Sequence, residues 1–185
     1  GKAMGVLRWR GMFEHKARLL SLLGAEAGDV IDFGGASGPL GLGTQVVDVQ
    51  DTDRTGAIVL WENIDEVPGR VRGIFSSHTL EHIKDLQATL RAMYQRVEEG
   101  GWIVLHLPSW TCTRWRAAEK PGKEARPEQF GSPHWWTFGV TVKPPIEGLH
   151  RYVGMDKIIP LTMPGAKYTA EECGDNSIWV EVHKL

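Results

Sequence analysis

The sequence lacks the features that would place it in a membrane, outside the cell or on a polyanion. It contains no run of about 18 apolar residues, and its first residues contain no apolar signal-peptide core. Its two cysteines, Cys112 and Cys173, lie far apart and form no motif, which argues against a disulfide framework. The net charge of −2 gives no strong nucleic-acid signal. We therefore expect a cytoplasmic protein that does not enter a membrane.

Short apolar runs alternate with amphipathic segments along the chain. The 185 residues are 42% hydrophobic and 24% charged, which is typical of one globular domain. Residues 5–23 are predicted to form a helix that ends at Gly24, and Leu80 to Val97 a second helix. The predicted strands are Val30–Phe33, Val46–Val47, Ala57–Leu60, Gly73–Ser77 and Trp102–Leu107, followed by an antiparallel hairpin of Lys167–Glu172 and Ser177–His183. This alternation predicts an α/β domain.

A glycine-rich turn follows the first predicted strand. The strand runs through Asp32 into Gly34, Gly35, Ala36, Ser37 and Gly38. Glycine permits a positive φ and removes the Cβ that would keep a ligand away from the main chain, so the turn is a candidate ligand cradle. The alternative is a tight turn without a ligand. Only about seven residues separate Gly38 from Val46, so we expect a compressed crossover with at most one helical turn.

Two further features follow this turn in a fixed order. Asp48 closes the second strand, and Ser76-Ser77-His78-Thr79-Leu80-Glu81-His82 opens the long helical pattern, which ends at Gly100-Gly101 before an apolar strand. Together with the glycine turn, this order resembles the class I S-adenosylmethionine-dependent methyltransferases, especially the small-molecule group that includes ubiquinone-biosynthesis-like enzymes. The resemblance covers residues 29–109 well and the terminal hairpin loosely.

The resemblance implies a Rossmann-like fold with a mostly parallel seven-stranded sheet and an antiparallel terminal strand. This chain departs from the family pattern in its shortened first crossover helix. The resemblance also implies S-adenosylmethionine as the cofactor. Asp48 matches the acid that binds the ribose hydroxyls, and Asp51 or Asp53 replaces it if the register differs. The resemblance also implies cofactor contacts beside the methionine part, by Asp32, Gly34, Gly35 and Gly38. Near the adenine it implies Ile64, with Asn63 and Asp65. Beneath the sulfonium and adenosine it implies the loop that reaches Thr79, with Ser76, Ser77 and His78.

A dinucleotide-binding oxidoreductase is the nearest competing enzyme. Its fingerprint would require glycine at positions 34, 36 and 39, but Ala36 and Pro39 occupy the last two. Ala36 also departs from the middle glycine of the methyltransferase pattern, where one methyl group is a tolerable change.

Histidines supply the candidate catalytic groups. His134 begins a His-Trp-Trp-Thr segment that resembles one bordering the substrate pocket in these enzymes, so it is the first candidate for a general base, with His82 the second. The alternative for His134 is a structural histidine packed among tryptophans. His78, Glu81 and His82 would share one helix face if the helix began by Thr79. A metal site there is an alternative, but we favour a metal-free loop in which Glu81 and His82 form hydrogen bonds.

A proline-rich and tryptophan-rich segment at 110–150 interrupts the core, and we interpret it as a lid or substrate insertion. Its tryptophans, which are Trp110, Trp115, Trp135 and Trp136, form either an aromatic wall for the acceptor or a small satellite core. We therefore expect one domain, with an N-terminal helix at 1–28, a cofactor-binding core at 29–109, this insertion, and C-terminal strands at 151–185.

The expected function is methyl transfer from S-adenosylmethionine to an unidentified small-molecule acceptor. The alternative is an inactive methyltransferase-like fold that serves as a binding or partner protein. The compressed crossover after Gly38 is the feature that favours this alternative, because the first helix normally caps the methionine carboxylate.

Overall fold

The computed structural model describes residues 14–24, 29–34, 45–47, 59–61, 63–120 and 134–185. The α-helices in this part of the chain are α1 (Lys16–Leu23), α2 (Leu86–Arg96) and α3 (Met155–Thr162). The strands are β1 (Val30–Phe33), β2 (Gln45–Val47), β3 (Val59–Trp61), β4 (Val71–Ser77), β5 (Val97–Pro108), β6 (Thr137–Gly139), β7 (Tyr152–Gly154), β8 (Lys167–Glu172) and β9 (Ser177–His183).

Seven of the described strands form one sheet in the order β3-β2-β1-β4-β5-β9-β8. β1, β2, β3, β4 and β5 run parallel to one another, whereas β9 is antiparallel to β5 on one side and to β8 on the other. The prediction of a mostly parallel sheet with an antiparallel terminal strand is therefore confirmed, as is the terminal hairpin. Strand order reverses between β1 and β4, which places the topological switch point at the carboxyl ends of these two strands.

The central strands are apolar on both faces because helices cover both sides of the sheet. Successive residues of a strand point to opposite faces. Ile31, Ile74 and Ile103 contribute to the larger core, which also contains the buried residues of α2 and α3. Val30, Phe75 and Val104 contribute to the smaller core, which contains Leu19 and Leu23 of α1. The nearly continuous apolar run Trp102–Leu107 of β5 follows from this double coverage.

The predicted helix from Leu80 to Val97 is wrong at its start. Residues Leu80–His82 form a short 3-10 turn, and α2 begins only at Leu86. An α-helix from Leu80 would need the carbonyls of Glu81 and Ile83 for its own N–H groups. Instead, the backbone N–H of Trp135 donates to the Glu81 carbonyl at 2.7 Å, and the Trp136 indole N–H donates to the Ile83 carbonyl at 2.6 Å.

The expectation that His78, Glu81 and His82 share one helix face is wrong for the same reason. His78 lies before the turn with a φ of 48°, which is left-handed backbone. The end of the predicted helix also differs, because β5 begins at Val97 and includes the Glu-Glu-Gly-Gly stretch. A register irregularity between Val71 and Gly73 of β4 accommodates these extra residues.

The segment before α3 forms a second, two-stranded parallel sheet of β6 and β7. Ser109, directly after β5, bridges to Phe138 of β6, so this small sheet joins the carboxyl end of the main sheet. Arg151 ties the small sheet to the start of the insertion. Its guanidinium donates to the carbonyls of Trp135 at 2.6 Å, Ala118 at 2.6 Å and Glu119 at 3.2 Å.

Several predictions fall outside the described residues. These are the N-terminal part of the first predicted helix, the compressed crossover after Gly38, and the positions of Gly35, Gly38 and Asp48. Across the described ranges, no helix has both the length and the apolar character needed to cross a bilayer. The proposed subdivision of the domain stays a prediction.

Candidate functional site

The carboxyl ends of β1 and β4 lie side by side. The two strands pair in parallel with Asp32 opposite Phe75 and Phe33 opposite Ser76. Asp32 is buried, with 2% of its surface exposed. Ligands of open α/β sheets bind beyond this edge, at the switch point of the strand order. The structure therefore brings Asp32, Gly34 and the serines of β4 to the edge where such a ligand binds.

Gly34 makes the tight turn that leaves β1. Its φ is 79°, and its N–H donates to the Val47 carbonyl at the end of β2 at 2.7 Å. A Cβ at this position would lie 2.0 Å from Oγ1 of Thr79. The Thr79 hydroxyl in turn donates to the Ser77 carbonyl at 3.1 Å. Only glycine fits here, because both the backbone conformation and the close approach of Thr79 exclude a side chain.

Ser76 and Ser77 end β4 in different environments. Oγ of Ser76 is buried and has no hydrogen-bond partner among the described residues. Oγ of Ser77 shares a 2.9 Å hydrogen bond with Nδ1 of His106, which lies opposite it on β5. Buried hydroxyls are nearly always hydrogen-bonded in folded proteins, so the Ser76 oxygen is suited to meet a polar group of a ligand.

His78 is held on several sides. Its backbone N–H donates to the His106 carbonyl at 2.8 Å, and its Nε2 shares a 3.2 Å hydrogen bond with Oγ of Ser177. Its ring meets those of His106 and Trp115 edge-on, with centroids 4.8 and 4.9 Å away. Burial lowers the pKa of His78 well below 6.5, and the neighbouring His106 acts in the same direction. The imidazole is therefore neutral at physiological pH.

Ile64 lies in a 3-10 turn (Ile64–Glu66) that follows β3. Its side chain is 4% exposed and belongs to the larger core. The neighbouring Asn63 is exposed and caps the turn, since its Oδ1 accepts from the Asp65 N–H at 3.0 Å. Asn63 and Asp65 therefore present the polar surface of this turn, and a contact between Ile64 and an adenine ring stays a prediction.

His82 and His134 come together although they are far apart in the sequence. Their rings meet edge-on with centroids 4.7 Å apart. Nδ1 of His134 lies 3.1 Å from the Trp115 carbonyl, which can only accept, so Nδ1 carries the hydrogen and Nε2 of the neutral ring carries the lone pair. His134 is 4% exposed, whereas the His82 side chain is 22% exposed. This geometry fits a buried base next to a partly exposed partner.

Sequence reasoning missed the contribution of the terminal hairpin. Because β9 is antiparallel to β5, the turn before β9 arrives at the carboxyl edge of the parallel strands. This turn brings Oγ of Ser177 within hydrogen-bond distance of Nε2 of His78. It also places Oδ2 of Asp175 3.7 Å from Nε2 of the fully buried His106. The signal was present, since the same hairpin was predicted and an antiparallel last strand dictates where its turn lies.

The tryptophans of the insertion have separate partners. The Trp110 indole donates to the Glu172 carboxylate at 3.0 Å, and Lys84 lies over the Trp135 ring at 5.3 Å. Trp136 packs against the larger core. Trp115 is the member of this group that contacts His78. The part of the chain that the structure describes holds no group of three or more His, Cys, Asp or Glu side chains placed to bind a metal ion.

Comparison with known proteins agrees with this architecture. Residues 8–140 match the family described as methyltransferase domain. No curated protein matches the chain at a significant level. An S-adenosylmethionine-dependent methyltransferase from Mesorhizobium loti superposes with a TM-score of 0.58 at 13% identity, covering 92% of this chain and 97% of that one.

Two other solved structures show the same fold. A chain from the Haloferax volcanii complex that contains the Trm112 methyltransferase activator has a TM-score of 0.57 at 14% identity, with 98% of this chain and 92% of that chain covered. The glycopeptide N-methyltransferase MtfA, solved with S-adenosylmethionine, has a TM-score of 0.53 at 13% identity, with 100% and 94% covered. The family match covers residues 8–140, well over half of this chain, so the chain belongs to the methyltransferase domain family.

Proposed function

We propose that this protein transfers a methyl group from S-adenosylmethionine to a small-molecule acceptor. The observation that carries the proposal is the pairing of the buried Asp32 and the Gly34 turn with the end of β4, at the switch point of a methyltransferase-domain sheet. S-adenosylmethionine supplies an electrophilic methyl group on a sulfonium. The chain's own residues would bind it, orient the acceptor and exclude water.

The residues at this edge fit such a cofactor. Gly34 turns the main chain sharply at the carboxyl end of β1, with a φ of 79°, and the buried Ser76 hydroxyl lacks a partner among the described residues. We assign the following residues to cofactor binding: Asp32, Gly34, Gly35 and Gly38 for the methionine part, Asp48 for the ribose, Ile64 for the adenine, and Ser76, Ser77 and His78 for the sulfonium side.

The protonation state of His78 supports this assignment. A sulfonium is a cation, and a protonated imidazole beside it would oppose binding. Burial keeps the pKa of His78 well below 6.5, so its ring is neutral and does not repel a positive charge. The Trp115 ring lies edge-on to His78, with the ring centroids 4.9 Å apart.

Proton removal from the acceptor is assigned to His134, with His82 as its partner. The hydrogen bond from Nδ1 of His134 to the Trp115 carbonyl leaves Nε2 as the basic nitrogen. A general base needs a lone pair that can take a proton, and this tautomer puts that lone pair on Nε2. Residues 110–150 would select the acceptor, and the ubiquinone-biosynthesis-like group remains the finer assignment.

Isothermal titration calorimetry with S-adenosylmethionine and S-adenosylhomocysteine tests the proposal. We expect both to bind, and we expect Asp48→Ala to weaken binding roughly 10–100-fold, because it removes hydrogen bonds to a charged carboxylate. Asp51→Ala and Asp53→Ala are matched controls that remove the same charge and should bind normally. If neither ligand binds at millimolar concentration, the proposal is overturned and the alternative of an inactive methyltransferase-like fold is favoured.

A further inference from the structure

Glu81 is a buried carboxyl that the assigned reaction does not use. It is 1% exposed, and neither of its carboxyl oxygens has a hydrogen-bond partner among the described residues. Its backbone is fixed, since its carbonyl accepts from Trp135 at 2.7 Å. The carboxyl group is therefore buried without a hydrogen-bond partner on any other described residue.

A purely structural role does not account for an acid here. Burying a polar group without a hydrogen bond costs roughly 1–3 kcal/mol in proteins, and burying a carboxylate costs more. An apolar side chain would fill the same space without that penalty. A group that costs stability at a candidate active site is often retained for chemistry.

The His82 imidazole approaches the Glu81 carboxyl and in turn contacts a second imidazole. Nε2 of His82 lies 3.6 Å from Oε1 of Glu81, and the His82 ring contacts the ring of His134. The charge of either imidazole also acts on His78. Lys84, three positions after Glu81, is exposed, and its ammonium lies over the Trp135 ring at 5.3 Å.

We propose that Glu81 is a positioning residue that balances charge in a coupled Glu81–His82–His134 unit. The inference rests on the proposed function, because it assigns the acceptor's proton to His134. His82 contacts both other members, since its Nε2 lies 3.6 Å from the buried Glu81 carboxyl and its ring lies 4.7 Å from that of the buried His134.

Protons and charges balance in the step that we assign to this unit. The O–H or N–H bond of the acceptor breaks, its electron pair stays on the acceptor, and Nε2 of His134 takes the proton. Glu81 releases its own proton to solvent by way of His82, whose side chain is 22% exposed. The carboxylate that remains balances the new imidazolium, so the buried site gains no net charge. When His134 later loses its proton, Glu81 takes one back from solvent.

The resting state fits this role. Desolvation raises the pKa of Glu81 to about 8, so at neutral pH it is the protonated acid and has a proton to release. Oε1 of Glu81 lies 3.6 Å from Nε2 of His82, so a negative charge appears beside that imidazole only after the release.

Nuclear magnetic resonance of the whole chain, labelled in the glutamate carboxyl carbons and the histidine ring nitrogens, tests the proposal without an acceptor. We expect one carboxyl signal to titrate near pH 8, whereas ordinary glutamates titrate at about pH 4.3. That signal is assigned to Glu81 by its absence from the spectrum of Glu81→Gln. The ring-nitrogen chemical shifts of His82 and His134 should change over the same pH range, because a negative charge then appears beside the rings. This change comes in addition to the one that protonation of each ring itself causes, and we call it the second displacement. Glu81→Gln should abolish that displacement.

Asp85→Asn is the matched control, since it removes an exposed acid from the same segment and should leave the second displacement unchanged. A Glu81 carboxyl that titrates in the ordinary range would overturn the proposal, as would histidine curves that are the same in wild type and Glu81→Gln. If Glu81→Gln fails to fold, the wild-type carboxyl and histidine curves decide by themselves. Calorimetry separates the two proposals, because a chain with coupled titration but no S-adenosylmethionine binding would refute only the proposed function.

Discussion

Replacing Gly34 with alanine tests the tightest point of the candidate cofactor turn. Two separate costs are expected there. The first is the left-handed backbone, with φ at 79°, and the second is the Cβ that would lie 2.0 Å from Oγ1 of Thr79. Gly100 offers a matched control, because its φ is 81° and no atom lies within 4 Å of its missing Cβ.

The two substitutions separate strain from collision. Gly100→Ala should lower the free energy of unfolding by about 1–2 kcal/mol, the cost of placing a side chain in left-handed backbone. Gly34→Ala carries that cost and adds about 1–3 kcal/mol for overpacking, since Thr79 or the strand ends must move. Its total should therefore reach about 2–5 kcal/mol. Thr79→Gly in the Gly34→Ala background should recover part of the second cost, because it removes the colliding atoms.

Urea unfolding gives the free energies, and calorimetry gives the affinity for S-adenosylmethionine. We expect Gly34→Ala to weaken binding and Gly100→Ala to leave it unchanged, because Gly100 lies at the opposite end of the strands. A Gly34→Ala variant no less stable than Gly100→Ala would refute the steric reasoning. A Gly34→Ala variant that binds the cofactor normally would refute the assignment of this turn.

Two further predictions concern charged side chains away from the cofactor. The Arg18 guanidinium donates to both carboxylate oxygens of Glu181, at 2.8 and 2.6 Å, and lowers the pKa of that carboxyl to about 2. Such a carboxylate stabilises the fold at pH values above its unfolded pKa of about 4.3, and this stabilisation is lost as the pH falls toward 2. In urea unfolding at pH 7, Glu181→Gln should therefore be less stable than wild type. The difference in unfolding free energy should shrink in acid. Arg151→Lys should lower stability by about 1–3 kcal/mol in thermal unfolding, because Nε, Nη1 and Nη2 each reach a different carbonyl and the single nitrogen of an ammonium cannot reach all three. The exposed Arg91→Lys should change stability little. An Arg151→Lys variant as stable as Arg91→Lys, or a Glu181→Gln difference that grows in acid, would contradict these assignments.

The sheet was predictable because its signals are local. Continuous apolar runs mark strands covered on both faces, and the Gly174-Asp175-Asn176 turn separates the two strands of the hairpin at their observed bounds. The class of fold followed from the alternation of strands and helices. Gly34 was also predictable as a turn residue, since its positive φ is the property for which glycine is used.

The site was less predictable because its partners are distant in the sequence. The 3-10 turn at Leu80–His82 exists because Trp135 and Trp136 occupy carbonyls that a helix would use, and helical periodicity carries no information about them. The burial of Glu81 follows from the same contacts. The meeting of His82 with His134 likewise depends on tertiary packing rather than on a motif.

The antiparallel strand β9 has a consequence for the order of folding. The hydrogen bond between His78 and Ser177 joins residues 99 positions apart, so the candidate site has one of its walls only after the last hairpin has paired. Such long-range pairing is slow compared with local contacts, and it must wait until the strand that begins at Ser177 has been synthesised. Until then the 12-residue strand β5 presents an unpaired edge, which is a template for pairing with other chains. Substitutions in the Gly174–Asn176 turn are therefore expected to affect the yield of folded protein before they affect its chemistry.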